Sequence, residues 1–209
     1  MRLVGLVSSG IDSPVAASLV SQYAKEVVLV HADNRPFTDD REVDNFSQLA
    51  HHLKHQCNSV KKAMIVPHGI TLQACRDHVE ARYTCVICKR MMLRYAEAIA
   101  VQEKAEAVVM GDSLGQVASQ TLQNIQVIEQ AVQIPVLRPL IGWDKEDVVF
   151  VAKEIGTYDL SIARSAGCLA VPEKPSTRAV LERILAEEQK INVADLVASV
   201  VTQAVSLRL

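Results

Sequence analysis

Aromatic residues are scarce in this sequence and make up 4% of its 209 positions. Proteins that hold single-stranded nucleic acid mainly by stacking its bases need aromatic rings, so stacking is not expected to be the main contact with any RNA. Net charge is small as well, at −2, which disfavours a protein that binds nucleic acid with its whole surface. Any such contact would need a local basic patch or a partner.

Long apolar runs are also missing. No stretch reaches the roughly 20 apolar residues that cross a bilayer. The apolar start at 1–7 is interrupted by Ser8, Ser9, Gly10 and Asp12, which is too early for a signal peptide. Five cysteines, an odd number, without an export signal are typical of a reducing compartment. We therefore expect a cytoplasmic protein with no membrane attachment.

Short aliphatic runs alternate with amphipathic segments as far as about residue 156. The predicted strands lie at 3–7, 27–31, 64–66, 108–110 and 135–138, and the predicted helices at 13–23, 41–54, 89–104, 116–124 and 145–155. This alternation predicts an α/β fold with a doubly wound, mostly parallel five-stranded sheet and helices on both faces. Ligands of such sheets bind beyond the carboxyl ends of the strands.

The pattern changes after Tyr158. Residues 161–178 are predicted as a loop, and two helices are predicted at about 177–188 and 192–206. We therefore expect one domain over residues 1–178 and a C-terminal helical extension over residues 179–209. Valines and alanines form an apolar stripe along the last helix, which must pack either on its own sheet or on a second copy in a homodimer.

The first strand is followed at once by Ser8-Ser9-Gly10-Ile11-Asp12-Ser13-Pro14 and then by a helix. A small-residue turn before a helix gathers free backbone N–H groups and the positive end of the helix dipole, which favours phosphate binding. The sequence contains neither a Walker loop nor Gly-x-Gly-x-x-Gly. Asp12 beside an anion is explained by a bound Mg²⁺ or by a role in positioning the loop. A tight turn with a helix cap is the alternative.

Cys85 and Cys88 form a Cys-x-x-Cys pair just before a predicted helix, with Arg82, Lys89 and Arg90 beside them. A helix N-terminus and nearby cations predict lowered thiol pKa values. Structural zinc is disfavoured because it needs four ligands and no second Cys-x-x-Cys exists. Three interpretations stay open: an iron–sulfur site completed by a third cysteine, a nucleophilic thiol with a resolving thiol, or an inert buried pair.

Cys168 follows Gly167 in the predicted loop, where a cysteine is a better candidate for chemistry than on a helix face. A loop cysteine that merely fills a void is the alternative. Cys57 and Cys75 are interpreted as packing residues. Arginines and lysines also outnumber carboxylates over residues 76–94, and this local excess of positive charge could hold RNA phosphates.

The segment from Ser8 to Ser13 resembles the PP-loop of the N-type ATP pyrophosphatases. Further stretches at 8–17, 36–38, 83–94, 111–122 and 135–158 resemble one branch of that superfamily, the tRNA 4-thiouridine synthetases or tRNA sulfurtransferases. The family loop has Gly-Gly where this chain has Ser9-Gly10. If Ser9 must adopt a positive φ, or if the backbone there touches a phosphate, its extra Cβ costs about 1–2 kcal/mol and weakens ATP binding.

The resemblance implies ATP and Mg²⁺ as cofactors, and a reaction in which a uracil carbonyl of tRNA is adenylated and its oxygen replaced by sulfur. Asp12 is then expected beside the metal and pyrophosphate, and it joins Cys85, Cys88 and Cys168 as a catalytic residue. The same three cysteines are the candidate iron–sulfur ligands. The nucleotide-binding residues implied are Ser8, Ser9, Gly10, Ile11, Asp12, Ser13, His31, Ala32, Gly111, Asp112 and Gln116.

Members of the family also carry an N-terminal ferredoxin-like and THUMP region that grips tRNA, and some carry a rhodanese domain. Because the first predicted strand begins at residue 3, we expect this chain to lack both and to hold tRNA through a separate RNA-binding protein. The expected sulfur donor is a cysteine desulfurase or sulfide. Two alternatives stay open: a non-catalytic ATP-binding subunit of a tRNA-modification complex, or a sulfurtransferase that acts on a small molecule or a carrier protein.

Overall fold

A computed structural model describes all residues 1–209 and contains one six-stranded sheet. Its strands are β1 (Arg2–Leu6), β2 (Glu26–Asp33), β3 (Val60–Pro67), β4 (Ala107–Val109), β5 (Val136–Leu137) and β6 (Val205–Leu207). Their order across the sheet is β5-β4-β1-β2-β3-β6, and every pair is parallel except β3 with β6. The expected α/β doubly wound fold is confirmed, with one strand more than the sequence predicted.

Nine α-helices cover the sheet. They are α1 (Asp12–Ser21), α2 (Arg41–Gln56), α3 (Gly69–His78), α4 (Thr84–Glu103), α5 (Leu122–Glu129), α6 (Lys145–Glu154), α7 (Tyr158–Ser161), α8 (Leu181–Glu188) and α9 (Val193–Thr202). Helix α3 was not predicted, and the helix predicted at 116–124 is a loop followed by α5. Thr121 sets that later start, because its side chain accepts a hydrogen bond from the backbone N–H of Asn124.

The two faces of the sheet follow from the alternation of side chains along each strand. Leu3, Val27 and Leu29 point to the face covered by α1, α2 and α6, whereas Val4, Val28 and Val30 point to the face covered by α4, α5, α8 and α9. Both faces are therefore apolar, as expected for parallel strands buried on both sides. None of the helices is long and apolar enough to cross a membrane.

The C-terminal segment contains the two expected helices but ends differently. Helix α9 stops at Thr202, and residues 205–207 pair with the edge of β3 instead of continuing the helix predicted to 206. Helices α8 and α9 pack on α4, so the segment contributes to the same core, and a domain border at residue 178 stays a prediction.

A buried ion cluster fastens α8 to α4. Glu188 accepts hydrogen bonds from Arg90 at 2.8 Å and from Arg94 at 2.6 Å. Burial alone would raise the pKa of Glu188, but the hydrogen bonds from Arg94 and Arg90 lower it below its usual value. Arg90 is 1% exposed, so the expectation that it helps to hold RNA phosphates is wrong. Arg76 and Arg82, by contrast, are exposed.

Candidate functional site

A cavity of about 280 Å³ opens beyond the carboxyl ends of β1, β2 and β4. Strand β1 lies between β4 and β2, so the cavity stands where the strand order reverses, the usual ligand position in such sheets. Nine of the predicted nucleotide-binding residues line it: Ser8, Gly10, Ile11, Asp12, Ser13, His31, Ala32, Gly111 and Asp112. Ser9 is buried and Gln116 is exposed, and neither lines the cavity.

The turn after β1 is held in shape by its own hydroxyl groups. The backbone N–H of Ser8 donates to Ser13 Oγ at 2.9 Å, and the backbone N–H of Gly10 donates to Ser8 Oγ at 3.2 Å. The two hydroxyls lie 3.0 Å apart. Since α1 begins at Asp12, the first amides of the helix follow this turn directly, an arrangement that favours anion binding.

The first condition under which Ser9 would weaken the loop, a positive φ, is not met. Lys104 is the one residue other than glycine with a positive φ, so Ser9 adopts an ordinary backbone conformation. The position with no room for a side chain is Gly111, which follows β4. A Cβ atom on Gly111 would lie 2.5 Å from Ser13 Cα, closer than any real contact. Only glycine therefore lets the loop after β4 approach the turn after β1 this closely.

Asp12 is paired with Lys145, which the sequence analysis did not single out. Lys145 Nζ donates to Asp12 Oδ1, although the two residues are 133 positions apart in the chain. Magnesium bound with a nucleotide usually takes one or two carboxylates together with phosphate oxygens. Asp12 at the edge of the cavity fits that requirement, and Lys145 places a cation at the same point.

Asp112 is buried, and protein donors bind both of its carboxylate oxygens. Lys89 Nζ lies 2.5 Å from Oδ1, and Arg138 Nε lies 3.3 Å from Oδ2. Burial by itself would raise the pKa of Asp112, but the charge and hydrogen bond of Lys89 and the charge of Arg138 lower it below its usual value. Asp112 is therefore ionised and anchored, and Lys89 lines the cavity beside it.

Three buried polar atoms in the cavity wall have no protein partner: His31 Nε2, Asn34 Oδ1 and Gln120 Oε1. His31 Nδ1 lies 2.9 Å from the carbonyl oxygen of Val7, and burial lowers the pKa of the ring. The neutral ring therefore carries its proton on Nδ1 and offers Nε2 as an acceptor. Because buried polar groups are normally satisfied, three unpartnered acceptors in one cavity indicate a ligand with N–H or O–H donors.

None of the three candidate catalytic cysteines lines the cavity. Cys85 and Cys88 lie in the first two turns of α4, which begins at Thr84 rather than after the pair. Burial raises the pKa of Cys85 and raises that of Cys88 far more, and it also raises the pKa of Cys168. The expected lowering of the pKa values of Cys85 and Cys88 is wrong, because loss of hydration outweighs the nearby charge of Lys89.

His68 is a second residue that the sequence analysis missed. It follows the carboxyl end of β3, is fully buried, and its Nε2 lies 3.1 Å from Cys88 Sγ. Burial lowers the pKa of His68 to about 4, so the ring is neutral near pH 7. The sequence could have indicated His68, because this residue lies just beyond the carboxyl end of a predicted strand, where ligands of such sheets bind.

The cysteines do not fit an iron–sulfur cluster as they stand. No group of three or more His, Cys, Asp or Glu side chains is arranged to hold a metal ion. A cluster needs thiolates converging on its irons, whereas Cys88 is turned to His68. All three cysteines are free thiols that interact electrostatically with one another. Burial raises the pKa of Cys168, and the negative charge of Glu42, which lines the cavity, raises it further.

Comparison with known proteins finds relatives that are described as tRNA sulfurtransferases. The family described as "Thiamine biosynthesis protein (ThiI)" matches residues 1–193. The chain is 44% identical over 200 residues to a "Probable tRNA sulfurtransferase" of Methanothermobacter thermautotrophicus, covering 95% of this chain and 51% of that protein. It is 43% identical to a protein of the same description from Thermus thermophilus, covering 94% and 49%. The chain thus spans about half the length of these curated relatives.

Solved structures agree with that comparison. A "4-thiouridine synthetase - RNA complex with bound ATP" superposes with a TM-score of 0.93 at 32% identity, covering 99% of this chain and 54% of that one. An NMN synthetase from Francisella tularensis superposes with a TM-score of 0.58 at 13% identity, covering 97% and 84%, which shows a common fold alone. The resemblance inferred from the motifs is confirmed.

Proposed function

The chain belongs to the ThiI family, and on this premise we propose that it is an ATP-dependent sulfurtransferase that adenylates and thiolates a uracil of tRNA. The observation that carries the proposal is the cavity at the carboxyl ends of β1, β2 and β4. It joins a preformed anion-binding turn to three unpartnered acceptors. A nucleotide with phosphates at one end and donors at the other matches both features.

The turn from Ser8 to Ser13 binds the phosphates of ATP, with the helix dipole of α1 behind it. His31 Nε2 and Asn34 Oδ1, which follow β2, accept hydrogen bonds from the adenine amino group or the ribose hydroxyls. Asp12 is the residue that would hold Mg²⁺ together with phosphate oxygens, and the metal would neutralise charge on the leaving pyrophosphate. Support for ATP also comes from the structural relative, which was determined with ATP bound.

Adenylation solves the central chemical difficulty, since a uracil carbonyl oxygen is a poor leaving group. The oxygen attacks the α-phosphorus of ATP, the bond to the β-phosphate oxygen breaks, and pyrophosphate leaves with that electron pair. The terminal sulfur of a persulfide on Cys168 then attacks the activated ring carbon. AMP departs with the former carbonyl oxygen. Cys168 is assigned this role because it lies in an irregular loop rather than on a helix face, where a side chain can reach a bound substrate.

A second thiol then releases the product. The thiolate of Cys85 attacks Cys168 Sγ, the bond from Cys168 to the transferred sulfur breaks, and the thiouridine leaves with that electron pair. The Cys85–Cys168 disulfide that remains must be reduced by an external dithiol before the next turnover. The persulfide sulfur comes from the persulfide of a cysteine desulfurase, whereas sulfide would act without a persulfide, by attacking the activated ring carbon directly and displacing AMP. In this reaction the cysteines act as a persulfide carrier and a resolving thiol, and not as ligands of an iron–sulfur cluster.

Recognition of tRNA relies on a further RNA-binding unit, in addition to the residues described. The small net charge supports this proposal, as do the internal partners of three basic residues in the segment 76–94. Arg76 and Arg82 are the exposed cations of that segment, and they would supply secondary contacts to phosphate. The apolar stripe of α9 packs on α4, so the proposed homodimer draws no support from it.

The test combines ATP–pyrophosphate exchange with nucleoside analysis. The protein is incubated with ATP, Mg²⁺, a persulfide donor, a dithiol and unmodified tRNA, with and without cell extract. We expect pyrophosphate exchange that depends on tRNA, and 4-thiouridine in the hydrolysed RNA. Absence of both AMP and thionucleoside in every arm would refute the proposal. The loss-of-function variant is Ser13→Ala. It removes the hydroxyl that accepts a hydrogen bond from the backbone N–H of Ser8, and it should abolish ATP–pyrophosphate exchange while the fold persists.

A second candidate function is that of an ATP-binding subunit without turnover. It is favoured by one observation: the three cysteines lie outside the cavity, and burial holds their thiols protonated. Calorimetry separates the two functions. The non-catalytic subunit binds ATP with no release of pyrophosphate, whereas the enzyme releases it once tRNA is present. A thiolated small molecule or carrier protein, formed while tRNA stays unmodified, would indicate another acceptor.

A further inference from the structure

A second cavity, the apolar cavity, has a volume of about 480 Å³ and lies beside the start of α4. Its walls come from the loop after β2, from α3, from the segment that joins α3 to α4, and from the loop that follows Cys168. Arg76 is the only charged residue that lines it. Its volume is in the range of ordinary ligand sites, about 300–1,000 Å³.

Two of the cysteines stand between this cavity and the nucleotide cavity at the carboxyl ends of β1, β2 and β4. On α4, Thr84 lines the apolar cavity and Lys89 lines the nucleotide cavity. Cys85 and Cys88 lie between those two residues in the same helix. The loop after β2 also contributes residues to both cavities. The thiols of α4 can therefore be approached from two sides, of which one is occupied by ATP in the proposed function.

Cys168 is joined to the apolar cavity by its own loop. The backbone N–H of Leu169 donates to the carbonyl oxygen of Phe37 at 2.8 Å, so this loop lies against the loop after β2. The backbone N–H of Ala170 hydrogen-bonds to the thiol of Cys168, and Ala170 itself lines the apolar cavity. A reagent in the apolar cavity is therefore next to the segment that holds the Cys168 sulfur.

Arg76 places a positive charge at the rim of the apolar cavity. Its guanidinium carbon lies 5.2 Å from the centre of the Phe37 ring, and its side chain is 64% exposed. Its carboxylate partner, Asp77, lies 3.8 Å from Nε and is itself half exposed, so Arg76 is only weakly neutralised. Apolar walls with one cation at the rim suit a ligand that has a carbon part and a single negative charge. A cysteine persulfide has this chemistry, because a persulfide ionises more readily than a thiol.

The proposed reaction also requires an entrance of this kind. ATP and the uracil occupy the nucleotide cavity together when the carbonyl oxygen attacks the α-phosphorus. Sulfur must therefore reach the cysteines from another direction, and the apolar cavity is the other opening beside them. An RNA segment fits the apolar cavity less well, because binding to several phosphates calls for several cations and Arg76 is the only one that lines it.

We propose that the apolar cavity is the entry site for the sulfur donor, a protein that carries a cysteine persulfide on an exposed loop. The inference rests on the proposed function and supplies the route of its sulfur. The Cys168 thiol passes its proton to the persulfide anion and attacks the terminal sulfur. The S–S bond of the donor then breaks, and the donor cysteine leaves as a thiolate with that electron pair. The proton stays on the transferred sulfur, and Arg76 meets the charge of the departing thiolate.

Transfer of labelled sulfur to Cys168 tests the proposal without ATP or tRNA. The donor is the cysteine desulfurase of the same organism, loaded from radioactive cysteine, and inorganic polysulfide is a second donor that needs no docking. Peptide mapping follows the label on Cys168. Ala81→Trp fills the cavity from an exposed position of its wall and should slow transfer from the desulfurase about tenfold or more, because displaced reactants lose their orientation. Transfer from polysulfide should stay within about twofold of the wild type.

A change of charge gives a second, independent variant. Arg76→Gln should slow transfer from the desulfurase about fivefold, and Arg76→Lys should restore most of the rate. The matched controls are Ala194→Trp and Arg183→Gln, at exposed positions of α9 and α8 that line neither cavity. Both controls should accept sulfur at the wild-type rate.

The outcomes separate the donor site from the proposed function. Unchanged transfer in Ala81→Trp, equal slowing with both donors, or no label on the wild type would overturn the donor site. Weaker tRNA binding in Ala81→Trp with normal sulfur transfer would assign the cavity to RNA and overturn it as well. Failure of the proposed function differs, since sulfur would still reach Cys168 in the wild type while sulfide, ATP, Mg²⁺ and tRNA together gave no thionucleoside.

Discussion

His68 Nε2 lies 3.1 Å from Cys88 Sγ and joins the end of β3 to the second turn of α4. Burial holds the pKa of His68 at about 4, so the ring is neutral near pH 7 and supplies no full positive charge to a thiolate. The same burial raises the pKa of the Cys88 thiol well above its usual value. The pair therefore holds Cys88 as a thiol in the absence of ligands.

Alkylation of the cysteines tests these raised pKa values. Only the thiolate reacts with iodoacetamide, so at pH 8 we expect Cys85, Cys88 and Cys168 to react at least about tenfold more slowly than a cysteine in an unstructured peptide. Peptide mass spectrometry gives the rate at each site, and the protein unfolded in urea is the control, in which the rates become equal. Faster labelling of Cys88 in the folded protein than in the peptide would contradict the burial of this thiol.

Substitution of Gly111 tests the close approach of the two loops. Gly111→Ala places a Cβ 2.5 Å from Ser13 Cα, and either the loop after β4 or the anion-binding turn must move. We expect a destabilisation of about 1–3 kcal/mol and a loss of ATP binding, measured by urea unfolding and calorimetry. Gly142→Ala is the matched control, because nothing lies within 4 Å of a Cβ at that position. Equal ATP affinity in both variants would contradict the contact.

Removal of the charge on Glu188 tests the cluster that fastens α8 to α4. Glu188→Gln leaves Arg90 buried beside a neutral partner, and breaking a buried ion pair in this way costs about 3–5 kcal/mol. Urea unfolding measures the change. Glu182→Gln is the control, since Glu182 lies on the exposed side of α8 and its loss should change stability by less than about 0.5 kcal/mol. Equal stability of the two variants would show that Glu188 does not stabilise the packing of α8 on α4.

The depressed pKa of His68 predicts a pH dependence of stability. The unfolded state binds a proton on this ring below about pH 6.5, whereas the folded state does so only below about pH 4. The contribution is therefore fully present above pH 6.5 and is lost as the pH falls toward 4, by up to about 3 kcal/mol. His68→Gln should flatten that part of the profile, and the exposed His78→Gln should not. Parallel profiles for wild type and His68→Gln would contradict the prediction.

The positions of five strands and the turn after β1 could be predicted because both depend on local sequence. Short aliphatic runs specify buried strands, and Ser8 to Pro14 stands between one of them and a helix, so the turn is recognisable from seven adjacent residues. The carboxyl ends of the strands then locate the cavity, and with it His31 and Asp112.

The partners inside the site could not be predicted, because they come from distant parts of the chain. Asp12 meets Lys145, and Arg90 meets Glu188, across separations of 133 and 98 residues. The cysteine pKa values were predicted with the wrong sign for a related reason. Neighbouring charges are visible in the sequence, but burial, which decides the outcome here, is a property of the packed structure. Strand β6 was missed because three residues give too short a pattern.

Strand β6 has a consequence for how the chain folds during synthesis. Until residues 205–207 have left the ribosome, the hydrogen-bonding groups of β3 at 63–65 have no partner on the outer side of the sheet. An open edge of this kind recruits strands from other chains. The nascent protein is therefore open to aggregation until β6 pairs with β3, and shortening the chain before residue 205 should make the folded protein more prone to aggregate.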